Sequence, residues 1–322
     1  MLLGPLSQIM RVLITGGYGY IGGSLAKHLF HSGYEIILGS RNLHPAPNWL
    51  PEARNVLIDW FDSSSLENAC ENVDVIIHAS GMNARDSEKN PTKALEVNGL
   101  LTGKLIEAAK SKKVKRFIYL STAHVYLSPL LGNISEDVCP RNLHPYASSH
   151  LAGENLLLAD NQLTGIVLRL SNSFGAPVKK DTDCWTLVIN DLCRQAVEKK
   201  NITIRSDTSQ LRDFIALSDV TLAIEHFINL PLKNNIDNVF NLGGNLVLNL
   251  REVSELVATR CSVIFGYKPG IKYTDQSKEF SRCFLNYQVQ KLLSTGFNLK
   301  NPIEKEIDDL LLYCKKNFSL TL

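Results

Sequence analysis

Met10-Arg11-Val12-Leu13-Ile14-Thr15 runs directly into Gly16-Gly17-Tyr18-Gly19-Tyr20-Ile21-Gly22, and the reading of this stretch decides the fold. The apolar run ending at Thr15 reads as a short buried strand, and the residues from Ser24 to His31 read as a helix. Between them the glycines satisfy two patterns at once, Gly-x-Gly-x-x-Gly from Gly17 and the three-residue spacing Gly16, Gly19, Gly22. Glycines at such a strand-to-helix junction permit a tight turn and a close backbone approach to a pyrophosphate, while the helix N-terminus aims its N–H groups at the anion. A glycine triplet alone marks only a flexible turn; flanked by this strand and this helix it reads as a dinucleotide site.

Working outward, short apolar runs alternate with helix-like stretches from residue 10 to about 170. Strands are expected at Val12 to Thr15, Glu35 to Leu38, Asn55 to Ile58, Val75 to His78, Arg116 to Leu120 and Ile166 to Leu170, with helices near 20–32, 63–71, 91–111 and 145–160. Right-handed crossovers then give an α/β fold, a doubly wound parallel sheet of Rossmann type with its ligand crevice at the carboxyl ends of the strands. After Phe174 the texture changes to a loop-like stretch at 176–180, a helix through about 184–199, and shorter elements. The expected division is an N-terminal extension over 1–9, a dinucleotide-binding domain over 10–175, and a smaller C-terminal substrate-binding region over 176–322, partly interleaved with the sheet.

Bulk properties exclude several classes. A formal net charge of +2 without a long run of like charge gives no electrostatic footprint for nucleic acid or an anionic membrane. No apolar run approaches the roughly 18–20 residues that span a bilayer, and Met1 to Gln8 has neither a charged n-region nor a cleavage site. The seven cysteines are odd in number and show no C-x-x-C pairing, so neither a disulfide framework nor a structural zinc is expected, and no His/Cys/carboxylate cluster has metal spacing. A reducing cytoplasm is the expected compartment.

The end of the second strand usually chooses the cofactor, because an Asp or Glu there hydrogen-bonds the ribose 2′-hydroxyl of NAD. Here it reads Leu38-Gly39-Ser40-Arg41-Asn42. With no carboxylate, and with Ser40 and Arg41 suited to a 2′-phosphate, NADP is favoured and NAD is the alternative. Arg41 also has the plainer reading of a solvent-facing loop residue.

Further motifs follow in a fixed order: Asp59 after the third strand, His78-Ala79-Ser80-Gly81 after the fourth, Asn98 in the next helix, Ser121-Thr122-Ala123-His124-Val125-Tyr126, and Tyr146-Ala147-Ser148-Ser149-His150. Together with the glycine turn they resemble the extended short-chain dehydrogenases/reductases, in particular the nucleotide-sugar epimerases and dehydratases. The resemblance continues through Arg169 to Gly175, Gln210 to Phe214 with Asp219-Val220, and a weaker match near Leu285 to Phe297. It implies cofactor contacts at Gly16, Gly19, Tyr20, Ile21 and Gly22, at Asp59 toward the adenine amino group with Trp60 beside it, at Ala79, Ser80 and Gly81 along diphosphate and ribose, and at Asn98. The same resemblance makes Thr122, Tyr146 and His150 the catalytic positions, Tyr146 giving or taking a proton while hydride moves at the nicotinamide. Substrate positions fall on Asn83, Thr122, His124, Asn172 and Arg212, with Arg212 on the sugar-nucleotide diphosphate. Taken singly, Asp59 also reads as a turn cap, Asn172 as a loop tie, Arg212 as half of a surface pair, and His124 as a loop residue.

One departure is chemical. The family's Tyr-x-x-x-Lys becomes Tyr146-x-x-x-His150. Making a tyrosine a base near neutrality means shifting its pKa by about three units, roughly 4 kcal/mol. Lysine supplies a permanent charge for that shift, whereas histidine has a reference pKa near 6.5 and is charged only part of the time. The resemblance therefore implies an NAD(P)-dependent oxidoreductase or epimerase acting on a nucleotide sugar by 4-epimerisation or 4-keto reduction, with a rate that follows an imidazole ionisation. The alternative is a catalytically inactive NADP-binding sensor or partner protein. Surplus apolar residues on the helices near 91–111 and 145–160, including Leu95, Leu100, Leu101, Leu105, Leu151, Leu156, Leu157 and Leu158, and the family's helical interface imply a homodimer.

Overall fold

The computed structural model describes residues 9–42, 44–205, 207–231, 238–274 and 284–319. The chain opens with β1 (Arg11–Thr15), α1 (Tyr20–His31), β2 (Glu35–Ser40), β3 (Arg54–Leu57), α2 (Ser63–Ala69), β4 (Val75–His78), α3 (Ala84–Lys89) and α4 (Pro91–Ala94). A π-helical turn (Leu95–Leu100) leads into α5 (Leu101–Ser111), then β5 (Arg116–Thr122), β6 (Gly132–Ile134), α6 (Pro145–Leu158), β7 (Thr164–Leu170) and β8 (Asn172–Phe174). There follow α7 (Val188–Glu198), β9 (Asn201–Ile204), β10 (Leu211–Ala216), α8 (Leu217–Asn229), β11 (Val239–Leu242) and β12 (Val247–Asn249). The last elements are α9 (Leu250–Phe265), β13 (Gly270–Tyr273), β14 (Leu285–Tyr287), α10 (Gln290–Ser294) and α11 (Ile303–Phe318).

Seven strands form one sheet in the order β11-β7-β5-β4-β1-β2-β3. The pairs β1–β2, β1–β4, β2–β3 and β4–β5 are parallel. Val12, Leu13 and Ile14 are completely buried, which is why this strand is a continuous apolar run rather than an alternation. The chain winds from β1 outward to β3, then returns to place β4 on the other side of β1. That reversal is a topological switch point, the place where open parallel sheets bind ligands.

Two compact units emerge: residues 1–120, 144–167 and 227–238 form the first, and residues 121–143, 168–226 and 239–322 the second. These units cross residue 175: the second takes 121–143 and 168–175, and the first takes 227–238. Segment 121–143 goes to the second unit because β6 pairs with β14, and β8 does so because it pairs with β10. The second unit packs Phe174, Ile189, Leu192, Val257 and Leu310 into its own core.

The expected strands lie within a few residues of the observed ones, and the helix expected over 184–199 occupies Val188–Glu198. The helix expected over 91–111 is instead interrupted by the π turn, and α3 is an addition. The extension expected over 1–9 lies outside the described residues except for Ile9, as does Cys283. Among the described residues six cysteines are free, no group of side chains is arranged to hold a metal ion, and no helix is long and apolar enough to cross a membrane.

Candidate functional site

The glycine turn is built by close backbone approach. Gly16 has φ of +70°, and a Cβ there would stand 2.8 Å from the Ser80 nitrogen and 2.9 Å from the Ala79 carbonyl, so the end of β1 lies against the end of β4 with no room for a side chain. A Cβ on Gly22 would come 2.3 Å from the Gly16 oxygen, so the first turn of α1 is seated on the loop. Gly19 is the N-cap of α1 and offers no side-chain cap, nor is there a carboxylate in the first turn. An anion is favoured at such an end.

Above it lies a cavity of about 820 Å³ at the carboxyl ends of β1 to β4, walled by Gly16 and Gly19, by Ser40 and Arg41, by Trp60, and by Ala79, Ser80 and Gly81. This volume is of the size that takes a cofactor. The structure thus brings most of the expected cofactor residues to one wall. Tyr20 is buried in the core, so it can contribute only through its backbone. Asp59 stands apart from the lining: it is exposed, and its Oδ1 accepts from the Phe61 N–H at 3.0 Å, the turn cap of its plainer reading. Asn98 is buried behind the wall, where its Oδ1 accepts from the Met82 N–H at 2.7 Å and its Nδ2 donates to Ser149 Oγ at 3.0 Å. It ties the loop after β4 to α6. Asn83 lines the cavity but caps α3, accepting from the Asp86 N–H at 2.9 Å.

A polar chain runs beneath the cavity. Ser80 Oγ donates to Thr15 Oγ1 at 3.0 Å, Thr15 Oγ1 meets His78 Nδ1 at 2.6 Å, and His78 Nε2 meets Thr102 Oγ1 at 3.0 Å. Burial, then the nearby His150 ring, pushes the His78 pKa down to about 3, so this imidazole is neutral at pH 7. On α6, one helical turn brings the Tyr146 and His150 rings edge-on with centroids 4.7 Å apart. His150 is 6 % exposed, and its Nδ1 lies 2.9 Å from the Tyr119 hydroxyl. Burial pushes the His150 pKa down to about 4. Enclosure this complete disfavours the imidazolium, so the ring carries a single proton near neutrality, against the expectation of a partly charged histidine.

In the second unit Thr122 ends β5, and its Oγ1 accepts from the His124 N–H at 3.2 Å, which leaves the hydroxyl proton available to donate. The His124 carbonyl accepts from Asn142 Nδ2 at 2.7 Å. Asn172 Nδ2 donates to the Asp213 carbonyl at 2.9 Å and so ties β8 to β10. Arg212 lines a separate cavity of about 500 Å³ together with Lys199 and Arg205, with Glu198, and with the Arg194–Asp191 ion pair. Its Nη2 donates to the Gln210 side chain at 2.7 Å, burial lowers its pKa, and no carboxylate among the described residues pairs with it. Such a half-buried cation is poised for an anionic ligand.

The sequence reading missed the part of the large cavity's lining formed by Asp86 and Lys89 on α3, Asn90 at the cap of α4, and Lys93 on α4. Its signal was present: Asn83 three residues before Asp86, and Asn90 before Pro91, are both helix N-caps. Tyr18 and Phe61 were also passed over as lining residues.

A glycine turn without room for side chains, at the switch point of a parallel sheet, is the hallmark of a Rossmann-type dinucleotide-binding protein. Comparison with known proteins narrows the class. The chain belongs to the NAD dependent epimerase/dehydratase family, whose profile matches residues 12–243. It is 26% identical over 318 residues to a protein named putative UDP-glucose 4-epimerase from Methanocaldococcus jannaschii, covering 95% of this chain and 99% of that one. Among solved structures, Thermus thermophilus UDP-glucose 4-epimerase in complex with NAD matches with a TM-score of 0.78 at 23% identity, over 96% of this chain and 100% of that one. RMD from Pseudomonas aeruginosa complexed with NADPH matches with a TM-score of 0.76 at 22% identity, over 95% of this chain and 99% of that one. At these identities the two structures show the shared fold.

Proposed function

We propose that this chain is an NAD(P)-dependent enzyme that acts on a nucleotide sugar by hydride transfer at a sugar carbon, either 4-epimerisation or 4-keto reduction. The observation that carries the reading is the cavity of about 820 Å³ over a glycine turn that a single Cβ would fill. When bound, the dinucleotide supplies hydride exchange at its nicotinamide. The chain's own residues do the rest. Tyr146 Oη moves the proton of the reacting sugar oxygen, Thr122 Oγ1 donates a hydrogen bond to that oxygen, and His150 Nε2 holds the cofactor ribose. Arg212, with the cationic side chains around its cavity, holds the substrate diphosphate.

NADP is the proposed preference. Arg41 and Ser40 line the cavity where the second strand ends, Ser40 Oγ accepts from the Asn42 N–H at 3.3 Å, and among the described residues no carboxylate pairs with either side chain. The solved relatives include complexes with NAD and with NADPH, so the choice rests on Arg41. Membership of an enzyme family, with Tyr146 and Thr122 retained, favours turnover over a binding-only role.

The test is incubation with UDP-glucose, UDP-galactose and a 4-keto sugar nucleotide in the presence of each dinucleotide, followed by product chromatography. Turnover is expected, with Tyr146→Phe lowering kcat by about 100-fold or more while dinucleotide affinity stays nearly intact. Arg41→Ala should weaken NADPH binding and spare NADH. Wild type as inert as Tyr146→Phe across the panel would point instead to the binding-only protein, and equal titration curves for both cofactors would remove the NADP preference.

A further inference from the structure

The side chain that replaces the family lysine brings a property lysine lacks: a neutral imidazole offers its two nitrogens in opposite roles, and whichever nitrogen carries the proton decides what the other can do. We propose that Tyr119 is a positioning residue that donates its hydroxyl proton to His150 Nδ1 and so fixes the tautomer in which Nε2–H points at the cofactor wall as a donor. This rests on the proposed reading of that cavity as the dinucleotide site.

The hydrogen-bond inventory decides the direction. The Tyr119 hydroxyl lies 2.9 Å from His150 Nδ1 and 3.2 Å from the Asn98 carbonyl, and its one proton can serve only one of them. The Asn98 carbonyl already accepts from Thr102 Oγ1 at 2.8 Å, so it is satisfied without Tyr119. His150 Nδ1 has no other donor among the described residues. The shorter contact, and the Thr102 donor already on the Asn98 carbonyl, favour Nδ1 as the partner of the Tyr119 proton. The Tyr119 and His150 rings lie 27° apart with centroids at 5.8 Å, and the imidazole edge that meets the Tyr119 hydroxyl is Nδ1. The opposite edge faces Gly81, where an added Cβ would meet His150 Cε1 at 3.6 Å and Nε2 at 3.7 Å. Gly81 lines the cavity, and His150, itself not a lining residue, lies behind it with Nε2 on the Gly81 side.

Donation from Nε2 is the one function of the absent lysine that a neutral ring can reproduce, and only in this tautomer. The other tautomer would present a bare acceptor and would need the ribose hydroxyl to reverse its hydrogen bond. Tyr119 is itself buried, and burial raises its pKa well above the ordinary phenol value, so it keeps the proton it donates.

The test is nitrogen NMR on the cofactor-free protein with ¹⁵N-labelled histidine at pH 7, with the ring-150 signals assigned by their absence in His150→Asn. The expected result is a protonated Nε2 and a bare Nδ1. A protonated Nδ1, or two protonated nitrogens, overturns the proposal whatever the variants do. In Tyr119→Phe the ring should move toward the Nδ1–H form, and NADPH should bind several-fold more weakly by fluorescence titration. A folded Tyr119→Phe that keeps the wild-type tautomer also overturns it. If wild type shows Nε2–H but binds no dinucleotide, the proposal about Tyr119 stands and the reading of the cavity fails.

Discussion

At the scale of single residues, His78 and His150 link stability to pH. Both rings are enclosed, and both folded pKa values, about 3 and about 4, lie below the ordinary histidine value of 6.5. The unfolded chain therefore takes up more protons as the pH falls. Their contribution is full above about 6.5 and declines toward 4, by roughly 1.4 kcal/mol per pH unit for each ring. Urea unfolding from pH 7 to pH 5 should show this loss, and His150→Gln should flatten part of it; a midpoint that holds steady over that range contradicts the burial argument. The same neutrality bears on catalysis. Between pH 5 and 8 ring 150 should contribute no ionisation to the rate, and His150→Lys should raise the rate near neutrality by about tenfold for each unit it removes from the tyrosine pKa. An imidazole limb in the wild-type profile that vanishes in His150→Lys would contradict this. The spacing in the sequence identified Tyr146 and His150 as partners on one helical face. It could not show the ionisation of His150, because that depends on enclosure and on Tyr119, which arrives from a different strand. For the same reason Asn98 was legible as a position in a motif while its bond to Met82 was not, whereas the turn cap at Asp59 is local and was open to reading.

At the scale of elements, period and punctuation carried most of the reading. The buried strands β1, β2 and β4 are short apolar runs ended by glycine, serine or histidine, and each is where the sequence placed it. The π turn at Leu95–Leu100 was not visible, because a widened turn keeps nearly the same apolar periodicity as an α-helix. Its effect is local: the Asn98 carbonyl accepts from Thr102 Oγ1 at 2.8 Å and lies 3.2 Å from the Tyr119 hydroxyl, beside the site where such turns tend to occur. Another long-range tie involves Arg116, whose guanidinium forks onto the carbonyls of Phe227, Ile228 and Leu230 at the end of α8. A helix C-terminus gathers unpaired carbonyls and partial negative charge, and an arginine there meets both needs. Arg116→Ala should lower unfolding stability by about 2 kcal/mol, since bonds from a charged donor carry about 1.5–3 kcal/mol. Arg116→Lys should recover only part, because an ammonium lacks the planar fork. Denaturant melts of the three proteins check this, and a difference below about 0.5 kcal/mol would show that solvent serves those carbonyls equally well.

At the scale of the whole molecule, the sheet was readable because each βαβ step is local in sequence and its handedness is fixed. The division into units was not, since it depends on pairings such as β6 with β14 and β8 with β10 that join segments far apart in the chain. Association is the remaining large-scale property. The π turn and α6 pack on one another and leave Leu95, Leu100, Leu156 and Leu158 between 40 and 61% exposed, while Leu101, Leu105 and Leu157 face the core. Exposed leucines set singly on a surface need no explanation; these four lie on two helical segments that pack together, where a partner would cover them. Each leucine covered by a partner contributes about 1.5–3 kcal/mol, enough in sum for micromolar association to be ordinary. Sedimentation at micromolar protein should therefore give a dimer of the 35.9 kDa chain. Leu100→Glu combined with Leu156→Glu should yield the monomer, because each places a charge where an apolar contact forms, and both positions are exposed enough for the chain to fold around them. A wild-type protein that sediments only as a monomer, or a double variant that stays dimeric, would show that this face serves no association.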